Sequence, residues 1–297
     1  MADQAERLRQ LIRTSNKAHY LKTQQKPSRF IAVASGKGGV GKSNFVVNAS
    51  LTLDQWGKKV IIIDADLGMA NIDILLGLKP KATLWHVIRG EKRLEEVMIN
   101  GPGNLKIISG GSGFFELANL DSVRRNRLLE SFTLLQGDLV FIDCAAGISR
   151  NVLGFIAACD ELLVVVTPEP TSIADAYGML KVITERGLRP RLYLLVNRAA
   201  DHREGEDVYR RIKYTCARFL DIEPHYLGIV NDDHLVRLSV QRSLPFVLSY
   251  PDSEAAINLR RAVRSLLDGG EDPKEIKGSG ISEFLSRLFR IGSRVIT

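Results

Sequence analysis

Cysteine is scarce in this chain: 297 residues hold three, Cys144, Cys159 and Cys216. No two are spaced as CxxC, which argues against a zinc or iron–sulfur site within one chain and fits a reducing compartment. Long apolar runs are missing as well. No early stretch resembles a signal peptide, and no run of about twenty apolar residues resembles a membrane span. A cytoplasmic protein is expected, with a peripheral membrane stage left open. Acidic charge is in deficit, 34 Asp and Glu against 41 Lys and Arg, a formal net charge of +7. That balance permits contact with anionic lipid or nucleic acid and proves neither. The deficit is uneven. Residues 1–30 carry seven basic side chains against two acidic, so most of the surplus precedes the first expected strand.

A hydrophobic content of 45% supports a full core. "FIAVAS" reads as a buried strand running into a glycine loop, with a helix from Lys42 to about Trp56. "KKVIIIDAD", "LKIIS", "DLVFIDC", "ELLVVVT", "RLYLLVN" and "YLGIV" are further strand candidates, nearly all apolar, as parallel strands covered on both faces must be. Helical segments lie between most of them, notably 121–134, 172–187, 204–220 and 252–267. Repeated β then α predicts an α/β fold: a doubly wound, mostly parallel sheet with helices on both faces and ligand groups at the strands' carboxyl ends. The expected division is an N-terminal arm and linker (1–27), the sheet domain (28–267), a polar linker (268–280) and a terminal amphipathic helix (281–297).

The loop reads "SGKGGVGKSN". Gly36, Gly41, Lys42 and Ser43 match G-x-x-x-x-G-K-[ST] between a strand and a helix, the signature of a P-loop NTPase. Glycines let the backbone turn its N–H groups toward phosphates. Lys42 brings a cation to the β/γ oxygens, and Ser43 can ligate Mg²⁺. The dinucleotide spacing G-x-G-x-x-G is absent from the loop. Gly36 through Asn44, that is Gly36, Lys37, Gly38, Gly39, Val40, Gly41, Lys42, Ser43 and Asn44, form the candidate ATP cradle. Asp143 leaves an apolar strand where a carboxylate can hold Mg²⁺ through water. Asp64 and Asp66 end another strand, Asp64 serving either near Mg²⁺ or as a loop stabiliser.

Lys37 has no role in an ordinary P-loop. With it the segment resembles the K-G-G-x-G-K-[ST] loop of the MinD/ParA ATPase family. The resemblance implies that Lys37 reaches the partner subunit's nucleotide in an ATP-dependent homodimer, joining Lys42 and Asp66 as catalytic groups. Asp66 would position the attacking water at the start of switch I, and Gly147 would belong to switch II. Asn197 resembles the family asparagine that reads the adenine edge, followed by Arg198. The absence of a following Asn-Lys-x-Asp pattern argues against GTP. Asp233 matches the Asp of the family's Pro-x-Asp segment, with Asn231 in the proline's place. Asp232 and Asp233 can equally cap the next helix. "TPEPTSIADAY", including Asp175, resembles the family's surface helix for docking and dimer contacts.

Two terminal segments go further. Ile281, Phe284, Leu285, Leu288 and Phe289 fall on one helical face, with Glu283, Ser286, Arg287 and Arg290 opposite. A cationic amphipathic helix of this kind, after a flexible linker, is expected to bind reversibly to anionic lipids on the inner face of the cell membrane; docking on the sheet is the alternative, since periodicity is the same for both. Asp3, Gln4, Ala5, Leu8 and Arg9 resemble the D-Q-A-x-x-L-R motif of flagellar-number regulators within the MinD family. That resemblance implies ATP and Mg²⁺ as cofactors and stimulation of an SRP-type flagellar GTPase (the FlhF type). It also implies flagellar switch or C-ring proteins as further partners, and no specific nucleic acid. The rival readings are a ParA-type DNA-partitioning ATPase and a MinD-type division-site regulator.

Overall fold

A computed structural model describes residues 27–66, 71–111, 121–133, 135–269, 278 and 280–294. The elements run in the order β1 (Arg29–Ala34), α1 (Lys42–Gln55), β2 (Val60–Ala65), α2 (Asn71–Leu76), α3 (Leu84–Ile88), α4 (Leu94–Val97), β3 (Ile99–Asn100), β4 (Lys106–Ser109), α5 (Ser122–Thr133), β5 (Leu139–Cys144), α6 (Arg150–Ala158), β6 (Glu161–Val166), α7 (Pro170–Glu185), β7 (Arg191–Ala199), α8 (His202–Leu220), β8 (His225–Asn231), α9 (His234–Gln241), α10 (Phe246–Ser249), α11 (Glu254–Asp268) and α12 (Gly280–Arg294).

The strands form one eight-stranded sheet in the order β3-β4-β2-β5-β1-β6-β7-β8. Every pairing is parallel except the short β3–β4 edge. Strands β1, β2, β5 and β6 are buried along their whole length, which is why they read as unbroken apolar runs. Alternation sends Phe30, Ala32 and Ala34 to one face and Ile31 and Val33 to the other, so two cores form. Helices α5, α6, α7, α8 and α12 cover the first face, and α1, α10 and α11 the second. β1 lies between β5 and β6; the chain runs on from β1 toward β2 on one side and from β6 toward β7 on the other, so the direction of connection reverses between β1 and β6. The crevice at its carboxyl end is therefore the place where an open α/β sheet binds ligands.

The six interior strands and the major helices fall where the sequence puts them. Helix α7 starts two residues early, at Pro170, whose fixed φ suits the first helical turn. Helix α8 starts at His202, behind Asp201, whose side chain accepts from Glu204 N–H. The short helices α2, α3, α4 and α10 and the buried α6 were not among the predicted segments.

Helix α12 is docked. Phe284, Leu285, Leu288 and Phe289 are buried in the core beneath α5 and α6, with Ile281 partly buried beside them. Phe284 stacks on Phe30 of the central strand. Arg287 donates to Asp160 at 3.1 Å and to Glu283 at 2.5 Å. The face read as lipid-binding is thus the face that meets protein, at about 1.5–3 kcal/mol for each large side chain buried. Among the described residues, no helix is long and apolar enough to cross a membrane. Asp3, Gln4, Ala5, Leu8 and Arg9 lie outside the described residues, as do 270–277 of the linker.

Candidate nucleotide site

β1 delivers the chain into the loop at Ser35, and the loop closes at Gly41, which caps α1 with φ 97°, a left-handed turn that suits glycine. No side chain caps α1 and its first turn holds no acid, so its free N–H groups are left for an anion. The loop is braced from several sides. Ser35 Oγ donates to the Lys37 carbonyl at 2.7 Å, and Gly147 N–H donates to the Ser35 carbonyl at 2.9 Å. The second contact ties the segment after β5 to the loop. Asn197 Nδ2 donates to the Val40 carbonyl at 2.7 Å. The expected adenine reader therefore holds the loop itself, and a Cβ on Gly41 would overlap its amide nitrogen.

Lys42 is buried at the base of the loop, close enough to Asp143 to act on its charge. Asp64 and Asp143 are in register across the β2–β5 pair. Asp64 Oδ1 accepts from Asp66 N–H at 3.1 Å. Asp64 Oδ2 and both Asp143 oxygens are buried without a hydrogen bond. Burial, then the neighbouring Asp143, pushes Asp64 up to about 8. Burial pushes Asp143 up to about 6, against the pull of Ser43's hydroxyl, near it without an aligned bond, and of Lys42. Desolvation and mutual repulsion leave a place for positive charge. Three unpartnered carboxylate oxygens beside a serine hydroxyl are hard oxygen donors that fit Mg²⁺, with Ser43, Asp64 and Asp143 as the residues to hold it.

Lys37 is elsewhere. Its Nζ donates to Glu169 Oε2 at 2.7 Å and to Thr171 Oγ1 at 3.1 Å, at the start of α7. This hydrogen bond and charge hold Glu169 below its ordinary carboxylate range. Neither Glu169 nor Thr171 was picked out from the sequence, although both lie in "TPEPTSIADAY" at the end of β6. Asp175, from the same stretch, packs against the loop so closely that a Cβ on Gly36 would overlap its backbone carbonyl.

Beside the loop a cleft of about 720 Å³ runs from Gly41 and Asn44 past Asn197 and Arg198 to Asp232 and Asp233. The structure thus gathers the sequence-predicted base residues along one wall. Asp233 also caps α9, its Oδ1 accepting from Leu235 N–H at 2.9 Å. Asp232 pairs with Arg237 in the cleft wall at 3.1 Å.

A parallel sheet with this loop, an extra lysine turned outward and paired strand-end aspartates defines a P-loop nucleotide-binding protein of the MinD/ParA class. Residues 28–191 match the family described as an AAA domain. The antiactivator FleN of Pseudomonas aeruginosa is 37% identical over 88% of this chain and 94% of its own. The flagellum site-determining protein YlxH of Helicobacter pylori is 32% identical over 98% of this chain and 99% of its own. Among solved structures, a chain of the MinC:MinD cell division protein complex of Aquifex aeolicus superposes with a TM-score of 0.65. It is 25% identical and covers 85% of this chain and all of that one. The chain belongs to this family of MinD/ParA-type ATPases, in the group that contains FleN and YlxH.

Proposed function

We propose that this chain is a Mg²⁺-dependent ATPase switch that dimerises on ATP, binds the inner face of the cell membrane and sets flagellar number or placement. The observation that carries the reading is the position of Lys37. Its ammonium is held at the surface by Glu169 and Thr171, beside a phosphate loop that already has Lys42. A second lysine there has a use if it is handed to a neighbouring subunit. In that assembly Lys42 and the partner's copy of the outward lysine would both stabilise the charge that develops in phosphoryl transfer. Asp66 would orient the attacking water, and the backbone N–H groups opening α1 would bind the phosphates. Mg²⁺, held by Ser43, Asp64 and Asp143, would supply charge neutralisation on the phosphate oxygens.

The docked α12 supplies the membrane half of the cycle. Its buried residues Phe284, Leu285, Leu288 and Phe289, with Ile281, form an amphipathic face suited to lipid once it leaves the core. Two copies in a dimer would bind vesicles far better than one. The names of FleN, an antiactivator, and YlxH, a flagellum site-determining protein, support the flagellar setting. Asp3, Gln4, Ala5, Leu8 and Arg9 would engage an SRP-type flagellar GTPase, with Gln4 near that partner's phosphates.

The test is oligomeric state and vesicle binding with ADP against a non-hydrolysable ATP analogue, for wild type and Lys37→Ala. The expected result is a soluble monomer with ADP and a vesicle-bound dimer with the analogue, lost in Lys37→Ala. A wild-type chain that stays monomeric and soluble in both states would end the proposal.

A further inference from the structure

We propose that Asn258, which does not line the cleft, is a positioning residue for nucleoside recognition, fixing the strand ends that form the half of the cleft remote from the phosphate loop. This rests on the nucleotide reading above. The remote half is built on strained backbone. Arg198 holds a left-handed φ of 57°, which a side chain rarely adopts, at a register break between β7 and β8. Asn197 pairs with Val230 and Ala199 with Asn231, with the irregularity between them. Such a conformation persists only where its surroundings impose it.

Asp232 N–H donates to the Ala199 carbonyl at 2.9 Å, and Asn231 Nδ2 reaches the Ala200 carbonyl at 3.4 Å. The second bond is long and depends on which way the Asn231 carboxamide points. Asn258 decides that. Its Nδ2 donates to Asn231 Oδ1 at 2.6 Å, so the oxygen must face α11 and the nitrogen must face Ala200. Asn258 Oδ1 in turn accepts from Arg261 Nη1 at 3.0 Å, which orients Asn258. The donors thus run in one direction, from Arg261 on the surface through Asn258 and Asn231 to the loop behind Arg198. Both asparagines are largely buried, so a mis-set amide finds few other partners.

The phosphate half is anchored separately, by Asn197 on the Val40 carbonyl and by Gly147 on Ser35. Breaking the Asn258 relay should therefore weaken the nucleoside end and spare the phosphate end. A residue that merely supported the fold would affect both.

The experiment is calorimetric titration of the full chain with MgADP and with magnesium tripolyphosphate, for wild type, Asn258→Ala, Asn231→Ala and the double variant. Asn258→Ala should weaken ADP about five- to tenfold, the value of about one buried hydrogen bond, and leave tripolyphosphate within about twofold. The double variant should be no weaker for ADP than Asn231→Ala, because the two residues act in series. An unchanged ratio of ADP to tripolyphosphate affinity, or losses that multiply in the double variant, overturns the inference. Asn258→Ser, which is too short to reach Asn231, gives the same reading if the alanine variant does not fold. A wild-type chain that binds neither ligand overturns the nucleotide reading, and this inference with it.

Discussion

Phe284 of α12 lies on Phe30 of β1 with ring centroids 4.3 Å apart and planes inclined by 8°. The terminal helix is therefore seated against the strand that feeds the phosphate loop, four residues before that strand ends. A helix so placed can be freed without altering its own apolar face, because Asp160 of the body grips it through Arg287. Asp160→Asn removes one charge of that ion pair and no lipid-facing side chain. It should raise binding of the ADP form to anionic vesicles about two- to fivefold in a flotation assay, the scale of one partly exposed ion pair. Equal flotation of wild type and variant would show that the ion pair does not restrain the helix.

Lys37 and Glu169 give a second prediction. Since the Lys37 ammonium rests on α7, its removal should leave the chain's own phosphate cradle intact. Lys37→Ala should bind MgADP within about twofold of wild type and fail to dimerise on the ATP analogue, whereas Lys42→Ala should lose nucleotide itself. Glu169→Gln keeps the shape and loses the charge. It should lower the concentration at which the analogue-bound chain dimerises, read by sedimentation. If Lys37→Ala abolishes ADP binding as fully as Lys42→Ala, the lysine serves its own site.

The paired aspartates make a prediction about pH. Asp64 is raised to about 8 in the folded chain from an ordinary value of 3.8, with burial the main cause. Between these values the folded state keeps a proton that the unfolded state has released. Stability therefore falls as pH rises, with the full contribution present below about 4 and gone above about 8. Asp143, raised to about 6, adds the same sign over a narrower window. Without metal or nucleotide, the melting temperature should drop between pH 5 and pH 8.5, by several degrees. Asp64→Asn should flatten that slope. MgADP should reverse the trend, since a cation favours the ionised carboxylates. A melting temperature that rises over that range in metal-free buffer would contradict the burial argument.

Much of this site is local and so was legible in the chain. The phosphate loop is a contiguous motif whose glycines and lysine have one physical purpose, and apolar runs ending in Asp64 and Asp143 announce parallel strands with carboxylates at their tips. The side of α12 on which Phe284, Leu285, Leu288 and Phe289 fall was equally plain. What covers that side was not, because a periodicity of 3.6 is the same for lipid and for protein core. The partners of Lys37 were missed for a different reason. Glu169 is 132 residues away, and only the order of β1 beside β6 brings them together. Asn197 does lie near a strand end, but its bond to the Val40 carbonyl joins positions 157 residues apart, which nothing in "LLVNR" reveals.

The contact between the phosphate loop and α7 can be tested through two neighbouring glycines. At Gly36 an added Cβ would overlap the backbone carbonyl of Asp175, and backbone cannot rotate away as a side chain can. At Gly38 the nearest atom would be Ala146 Cβ at 3.9 Å, an ordinary contact. Gly36→Ala must therefore push α7 off the loop, at a cost of about 1–3 kcal/mol, while Gly38→Ala meets only an ordinary contact. The nucleotide-free chain should melt several degrees lower in the first variant and within about two degrees of wild type in the second. Because Thr171 lies in α7 and Glu169 caps its start, Gly36→Ala should weaken their hold on Lys37 as well. Trypsin should then cut after Lys37 faster in Gly36→Ala than in Gly38→Ala. If the two variants melt together and are cut at the same rate, the loop and α7 are not in the close contact described, and the link from phosphate site to surface helix fails with it.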